Sequence, residues 1–212
     1  MIQWKDVEPD VVISSANQLF RNIDCISTIC AMANWIGGRR IHITEECLGI
    51  LADHIASERN EVGGLLLGQV FSIETEIPSG YPHLTVVRKA IPCEAYRNSP
   101  VSLEMRADVW AGAASHFSNG LIVIGWYHTH PNLGAFFSGT DRTTQRSFFN
   151  QSYSLGLVID PARCEKKIFF GASSEEYPFD YVVMRDDMAT AYEGEGVRQC
   201  EKEISGEFEY SS

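Results

Sequence analysis

The sequence predicts an α/β fold, a single domain with a mixed β-sheet flanked by helices. Two observations predict it. Short apolar runs rich in Val, Ile and Leu alternate with segments whose apolar residues recur every three or four positions, which is the pattern of strands alternating with helices. The chain has 212 residues with 44% hydrophobic content, enough for one well-buried core but not two. Residues 1–38 read as an N-terminal extension, 39–190 as the domain, and 191–212 as an acidic, flexible tail poor in apolar periodicity.

In chain order, Leu19, Ile23, Ile26, Cys30 and Ala33 form one apolar stripe. They predict an amphipathic helix over 15–35 that packs on its own domain or on a partner protein. A strand follows around Ile41 to Ile43, then a helix capped by Thr44 with Leu48, Leu51, Ala52 and Ile55 as its buried face. "EVGGLLLGQVF" and "HLTVVRKAI" read as strands, "SLEMRADVWAGAASHF" as a helix, and "LIVIGWYHTH" as the next strand. A short helix opens near Gly139, and "YSLGLVID" and "KKIFFGA" complete the strands.

The formal net charge of −11 repels phosphate backbones, so nucleic acid is not an expected partner. The six cysteines show no C-x-x-C pair, and the opening "MIQWKDVEPD" is acidic where a secretory signal is basic. A reduced, cytoplasmic setting is expected. No apolar run reaches the roughly 20 residues of a membrane helix, so no membrane role is expected either.

Chemistry concentrates in "GWYHTHPNLGAFFSGTD". Side chains two apart on a strand share a face, so His128 and His130 can reach one metal ion; equally, they can be polar residues leaving a buried strand. Pro131 stops the strand, and Asp141 can return from the first turn of the next helix as a third ligand, leaving one zinc position open. Ser138 and Asp141 are also spaced as a helix-capping pair, and both roles are compatible because a cap fixes the backbone a ligand needs. A metal-activated water needs a proton acceptor, and Glu61 at the start of "EVGGLLLG" is the candidate; the glycines after it permit close backbone approach or mark a bulge. His42, His54, His83 and His116 read as surface or core-edge residues, and Trp126 and Tyr127 as core or groove wall.

Glu61, His128-Thr129-His130, seven residues, Ser138, two residues and Asp141 resemble the signature of the JAMM, or MPN-plus, metalloproteases. With "LGLVIDP" added, the stretch over about 40 to 185 resembles the catalytic deubiquitinating subunits of the proteasome lid and the signalosome. The resemblance implies an MPN domain of the JAB/cytidine-deaminase-like kind, with one Zn2+ per chain on His128, His130 and Asp141. It implies Glu61 as the base and Ser138 as the donor to the oxyanion. The implied reaction is cleavage of the bond after the C-terminus of ubiquitin or a ubiquitin-like protein, with that protein and its conjugates as partners.

The family carries its first insertion at "IPCEAYRNSPVSLEMRAD", where Glu94, Ala95 and Tyr96 are expected to clamp the substrate tail beside Trp126; a plain surface loop is the alternative. The loop after the Asp141 helix runs straight from "FFNQSYS" into a strand, where chain-specific eukaryotic members carry an insertion with further zinc ligands. Compact bacterial members, some in antiphage operons that conjugate ubiquitin-like proteins, share this plainness. Trimming of a ubiquitin-like sulfur carrier and a non-catalytic MPN scaffold remain as alternative functions.

Overall fold

The computed structural model describes residues 13–15, 33–34, 38–72, 83–93 and 107–185. Most of the expected 15–35 helix, the clamp residues Glu94, Ala95 and Tyr96, and the tail after 190 lie outside these. The strands are β1 Ser14–Ser15, β2 Ile41–Thr44, β3 Gly63–Ser72, β4 His83–Pro92, β5 Ile122–Thr129, β6 Leu155–Asp160, β7 Glu165–Phe170, β8 Glu175–Glu176 and β9 Val182–Met184. The helices are α1 Glu45–Ser57, α2 Ala107–Ala114 and α3 Gly139–Phe148.

One mixed sheet runs in the order β8-β7-β6-β5-β3-β4-β2-β9, with β1 beside the end of β3. The central β3 is antiparallel to both β4 and β5, and β5 is parallel to β6 with α3 as the crossover. Leu66 and Tyr127 join the core on the α1 face and Leu65, Leu67, Trp126 and Val158 the core under α2 and α3; the β3–β5 register shift at Leu66/Leu67, opposite Ile124, breaks strict alternation and puts Ile124, three before Tyr127, on the α1 face too. Coverage on both faces explains why β3 is buried along nearly its whole length instead of alternating.

Thr44 ends β2 and starts α1: its hydroxyl accepts from Cys47 N–H at 3.3 Å and donates to Arg88 C=O at 3.1 Å. That cap fixes the helix phase. The buried residues of α1 are therefore Cys47 and Leu51, with Leu48 and Ile55 partly buried, whereas Ala52, expected inside, is exposed. His42 is likewise a core residue, 2% exposed, and burial lowers its pKa to about 4. Strands β8 and β9 have two and three residues, too short to leave a periodic signal in the sequence. Among the described residues no helix is long and apolar enough to cross a membrane.

Gly156 shows how tightly the sheet meets the α3 side. A Cβ there would lie 2.3 Å from Phe137 Cζ and about 3 Å from Gln145 Oε1 and Trp126 Nε1. Gly156→Ala should therefore lower stability by about 1–3 kcal/mol, the cost of overpacking a filled core. Gly49→Ala, on the exposed face of α1 with nothing within 4 Å of the added methyl, should raise it by about 0.5–1 kcal/mol. Urea unfolding of the two variants checks the pair, and equal midpoints would contradict this account of Gly156.

Candidate metal centre

The centre begins with strand register. In the β3–β5 pair Gly63 faces His128, so residues 61 and 62, just before β3, run alongside Thr129 and His130. Thr129 closes this end twice: its N–H donates to Val62 C=O at 2.9 Å, and its hydroxyl accepts from Val62 N–H at 2.9 Å. Thr129 is buried and so excludes water from these bonds. Glu61 is thereby delivered beside His130, close enough that its charge favours the protonated imidazole.

His128 and His130 share a face of β5, as alternation requires, and their Nε2 atoms lie 3.1 Å apart. Behind them the Trp126 indole stacks on the His128 ring with centroids 4.5 Å apart and planes 7° from parallel. Trp126 is itself fixed: its Nε1–H donates to Gln145 Oε1 at 2.7 Å. Gln145 spends its own amide hydrogens on Phe149 and Ser154 carbonyls at 3.0 and 3.2 Å.

Asp141 enters from α3. Its N–H donates to Ser138 Oγ at 3.2 Å while its Oδ2 accepts from Ser138 N–H at 2.6 Å, a reciprocal capping box. Asp141 Oδ1 lies 3.4 Å from His128 Nε2 and Oδ2 lies 3.6 Å from His130 Nε2. Tetrahedral zinc with ligand bonds of about 2.0–2.1 Å needs donor atoms about 3.3 Å apart; the imidazole pair at 3.1 Å, and the carboxylate at 3.4 Å from one ring through Oδ1 and 3.6 Å from the other through Oδ2, lie near that spacing. The donor set, two imidazole nitrogens and a carboxylate, fits it as well. Among the described residues this is the one group of three or more candidate ligands that converges, with all ligating atoms within 4.8 Å of one another.

Electrostatics favour the ligand forms. Burial pushes the Asp141 carboxyl up, but hydrogen bonding and charge from His128, with the bonds from Ser138, outweigh it and hold the pKa at about 2. His130 is moved down, first by burial and then by His128 beside it, with Asp141 and Glu61 opposing. A carboxylate and a neutral imidazole are what a cation requires.

Beside Glu61 opens a cleft of about 460 Å³ lined by Asp53, His54, Ser57, Glu58, Glu61 and Cys93, among others. His54 Nδ1 is hydrogen-bonded to Tyr127 Oη at 2.8 Å, which ties this wall to β5. The expected ligands His128, His130 and Asp141 thus come together, with Ser138 in the capping box and Glu61 at the cleft margin. Trp126 is a correction: expected at the substrate, it is 0% exposed and serves as the wall that orients His128. Sequence reasoning misses Thr129 and Gln145 as functional residues. A hydroxyl between two histidines and an amide one turn after Asp141 are the signals that mark them.

Fold and centre together define the class: an α/β domain carrying a His-x-His strand end and a capped aspartate on the helix that follows. The chain matches the family described as prokaryotic homologs of the JAB domain over residues 44–166, more than half its length, and belongs to that family. It is 31% identical to COP9 signalosome complex subunit 5 of Eremothecium gossypii over 123 residues, covering 55% of this chain and 26% of that protein. A segment of 41 residues, 19% of this chain, is 51% identical to 26S proteasome non-ATPase regulatory subunit 14 of Dictyostelium discoideum, covering 13% of that protein. The chain thus spans about a quarter or less of the length of these two relatives. Among solved structures it is similar to a JAB1/MPN domain protein from Archaeoglobus fulgidus, with TM-score 0.41 and 18% identity, covering 68% of this chain and 98% of that one.

The depressed Asp141 pKa sets a pH dependence for the metal-free protein. The unfolded carboxyl titrates near 3.8 and the folded one at about 2, so its contribution is complete above 3.8 and is lost as pH falls through 2. The stability difference between wild type and Asp141→Asn should shrink steadily from pH 4 to pH 2, read from urea midpoints. A difference that stays constant over that range would show that Asp141 is not held this way.

Proposed function

We propose that this domain is a zinc-dependent peptidase that hydrolyses the amide bond after the C-terminus of ubiquitin or a ubiquitin-like protein, with isopeptide conjugates as its main substrates. The observation that carries the reading is the convergence of His128, His130 and Asp141 on one point with Glu61 held alongside through Thr129 and Val62. Similarity to signalosome and proteasome subunits supports the substrate class.

When bound, zinc supplies a Lewis acid that polarises the scissile carbonyl and lowers the pKa of a water toward about 7. Glu61 accepts a proton from the attacking water as its oxygen bonds to the carbonyl carbon. Ser138 is suited to the charge that develops on the carbonyl oxygen. A hydroxyl has one hydrogen and two lone pairs; the cap uses a lone pair to accept from Asp141 N–H, and the hydrogen, which bonds the Asp141 carboxylate in the metal-free chain, would turn to the carbonyl oxygen. The carbon–nitrogen bond then breaks, and Glu61 returns the proton to the departing amine. The cleft next to Glu61 is walled by Cys93, where the chain enters the segment bearing Glu94, Ala95 and Tyr96, and these are the proposed contacts for an extended C-terminal tail.

The test pairs metal content with turnover of a ubiquitin-like conjugate. Wild type should carry one zinc per chain and His130→Ala should lose it. Glu61→Gln should keep zinc with almost no turnover, and Ser138→Ala should keep zinc with kcat lowered by about 10²–10³. Normal turnover by Glu61→Gln would sink the assigned base, and zinc-loaded wild type with no turnover on isopeptide or linear substrates would favour a scaffold.

A further inference from the structure

The chain between the ligands His130 and Asp141 is a loop, and a loop by itself does not fix a distance. What fixes this one lies on the neighbouring hairpin. Asp160, the last residue of β6, is completely buried, and its carboxylate faces the loop. Its Oδ2 accepts from Gly134 N–H at 2.6 Å and its Oδ1 from Asn132 N–H at 3.0 Å. Oδ1 also accepts from Ala162 and Arg163 N–H at 3.0 and 3.2 Å, which ties the same carboxylate to the β6–β7 turn.

The loop backbone is bent to meet it. Asn132 and Gly134 both adopt positive φ, 64° and 93°, a region that asparagine and glycine tolerate best. On either side the register is pinned: His130 N–H donates to Ile159 C=O at 2.9 Å, and Ala135 N–H donates to Glu165 Oε2 at 3.3 Å. Asp160 and Glu165 face each other as a cross-strand pair in the β6–β7 hairpin, so one hairpin end grips the loop at the amides of Asn132, Gly134 and Ala135. Phe137, at the loop's end, stacks on Phe169 of β7 with centroids 4.1 Å apart, just before the Ser138 cap.

We propose that Asp160 is a positioning residue for the metal centre: its buried carboxylate, by binding the Asn132 and Gly134 amides, sets the span from His130 to Asp141 and thereby the affinity for the ion. The inference rests on reading His128, His130 and Asp141 as ligands. It adds a residue that touches neither metal nor substrate: its carboxylate reaches the loop through two backbone amides and is also paired with Arg163, whose Nε lies 3.7 Å from Oδ2. Burial pushes the Asp160 carboxyl up, but the backbone donors outweigh it and keep it below the usual carboxylate range, so the acceptor is charged. Charge-assisted bonds of this kind are about twice as strong as neutral ones, which suits a group that must hold two left-handed residues in place.

Asp160→Asn is the informative change. The amide fills the same space and leaves one oxygen for Asn132 and the β6–β7 turn, but its NH2 meets Gly134 N–H donor to donor and its neutral charge weakens the bonds that remain. In the full chain, zinc affinity measured by chelator competition should fall about 10–100-fold, the usual effect of losing a group that orients ligands. Amide hydrogen exchange at Gly134 should accelerate at least about tenfold, while Val86 and Val87 in β4 stay protected. Zinc affinity within about twofold of wild type would overturn the proposal. If Asp160→Asn does not fold, wild type decides by reciprocity, since what the loop gives to zinc binding zinc must return to the loop. Zinc should then slow exchange at Asn132 and Gly134 by more than at Val86 and Val87, and an equal or smaller effect would overturn it. Wild type that takes up no zinc would remove the ligand reading and this inference together.

Discussion

The pair of hydrogen bonds between Thr129 and Val62 is the constraint on which the centre depends. It lies where two antiparallel strands finish, and past it the chains diverge, one carrying Glu61 and the other His130. The end of β5 is held on its other side by β6, where His130 N–H donates to Ile159 C=O, so what the Thr129–Val62 bonds add is the hold on the start of β3, and without it the distance between Glu61 and His130 would be set by a loose strand start. A backbone N–H buried beside an apolar core must find an acceptor, and the hydroxyl of Thr129 provides one that the ladder has run out of. Threonine in the middle of the His-x-His motif is therefore structural, and its methyl-bearing, branched side chain suits the strand it sits on.

The aspartate side of the centre applies the same economy. Ser138 and Asp141 satisfy each other's backbone hydrogens, so the first turn of α3 is complete before any ligand arrives. The alternative readings of this pair, cap or site, turn out to be one arrangement seen from two sides: the bonds that cap the helix also aim a carboxylate at two imidazoles. Gln145 extends the logic across the layer. By binding Trp126 it joins the helix bearing Asp141 to the strand bearing His128, and the absence of a side chain at Gly156 makes room for that bond.

Much of this is legible in the sequence because it rests on local spacing. The strand alternation that pairs His128 with His130, the serine-to-aspartate spacing of the cap and the Thr44 helix start each depend on neighbours within a few residues. What stays hidden is long-range. Trp126 reads as core or groove wall, and as a substrate contact, because a tryptophan beside a histidine says nothing about which layer will cover it, and the covering group, Gln145, lies 19 positions on. Asp160 in "LGLVIDP" reads as an ordinary strand end until the loop 26 residues earlier is folded against it. Ala52 reads as buried because the stripe through α1 can be drawn one position late, and only the cap geometry decides its phase.

The spacing of the centre along the chain also gives its parts different histories during folding. The three candidate ligands fall within residues 128 to 141, whereas the Val62–Thr129 closure that brings in Glu61 joins residues 67 positions apart. Closing the longer loop costs about 1.5 kcal/mol more in chain entropy, quite apart from the packing that each closure secures. A nascent or partly unfolded chain can therefore bring His128, His130 and Asp141 together at less entropic cost than it can bring Glu61 beside them. Gathering the candidate ligands and bringing the acid alongside them are thus separate closures of unequal cost, one local and one spanning about a third of the chain.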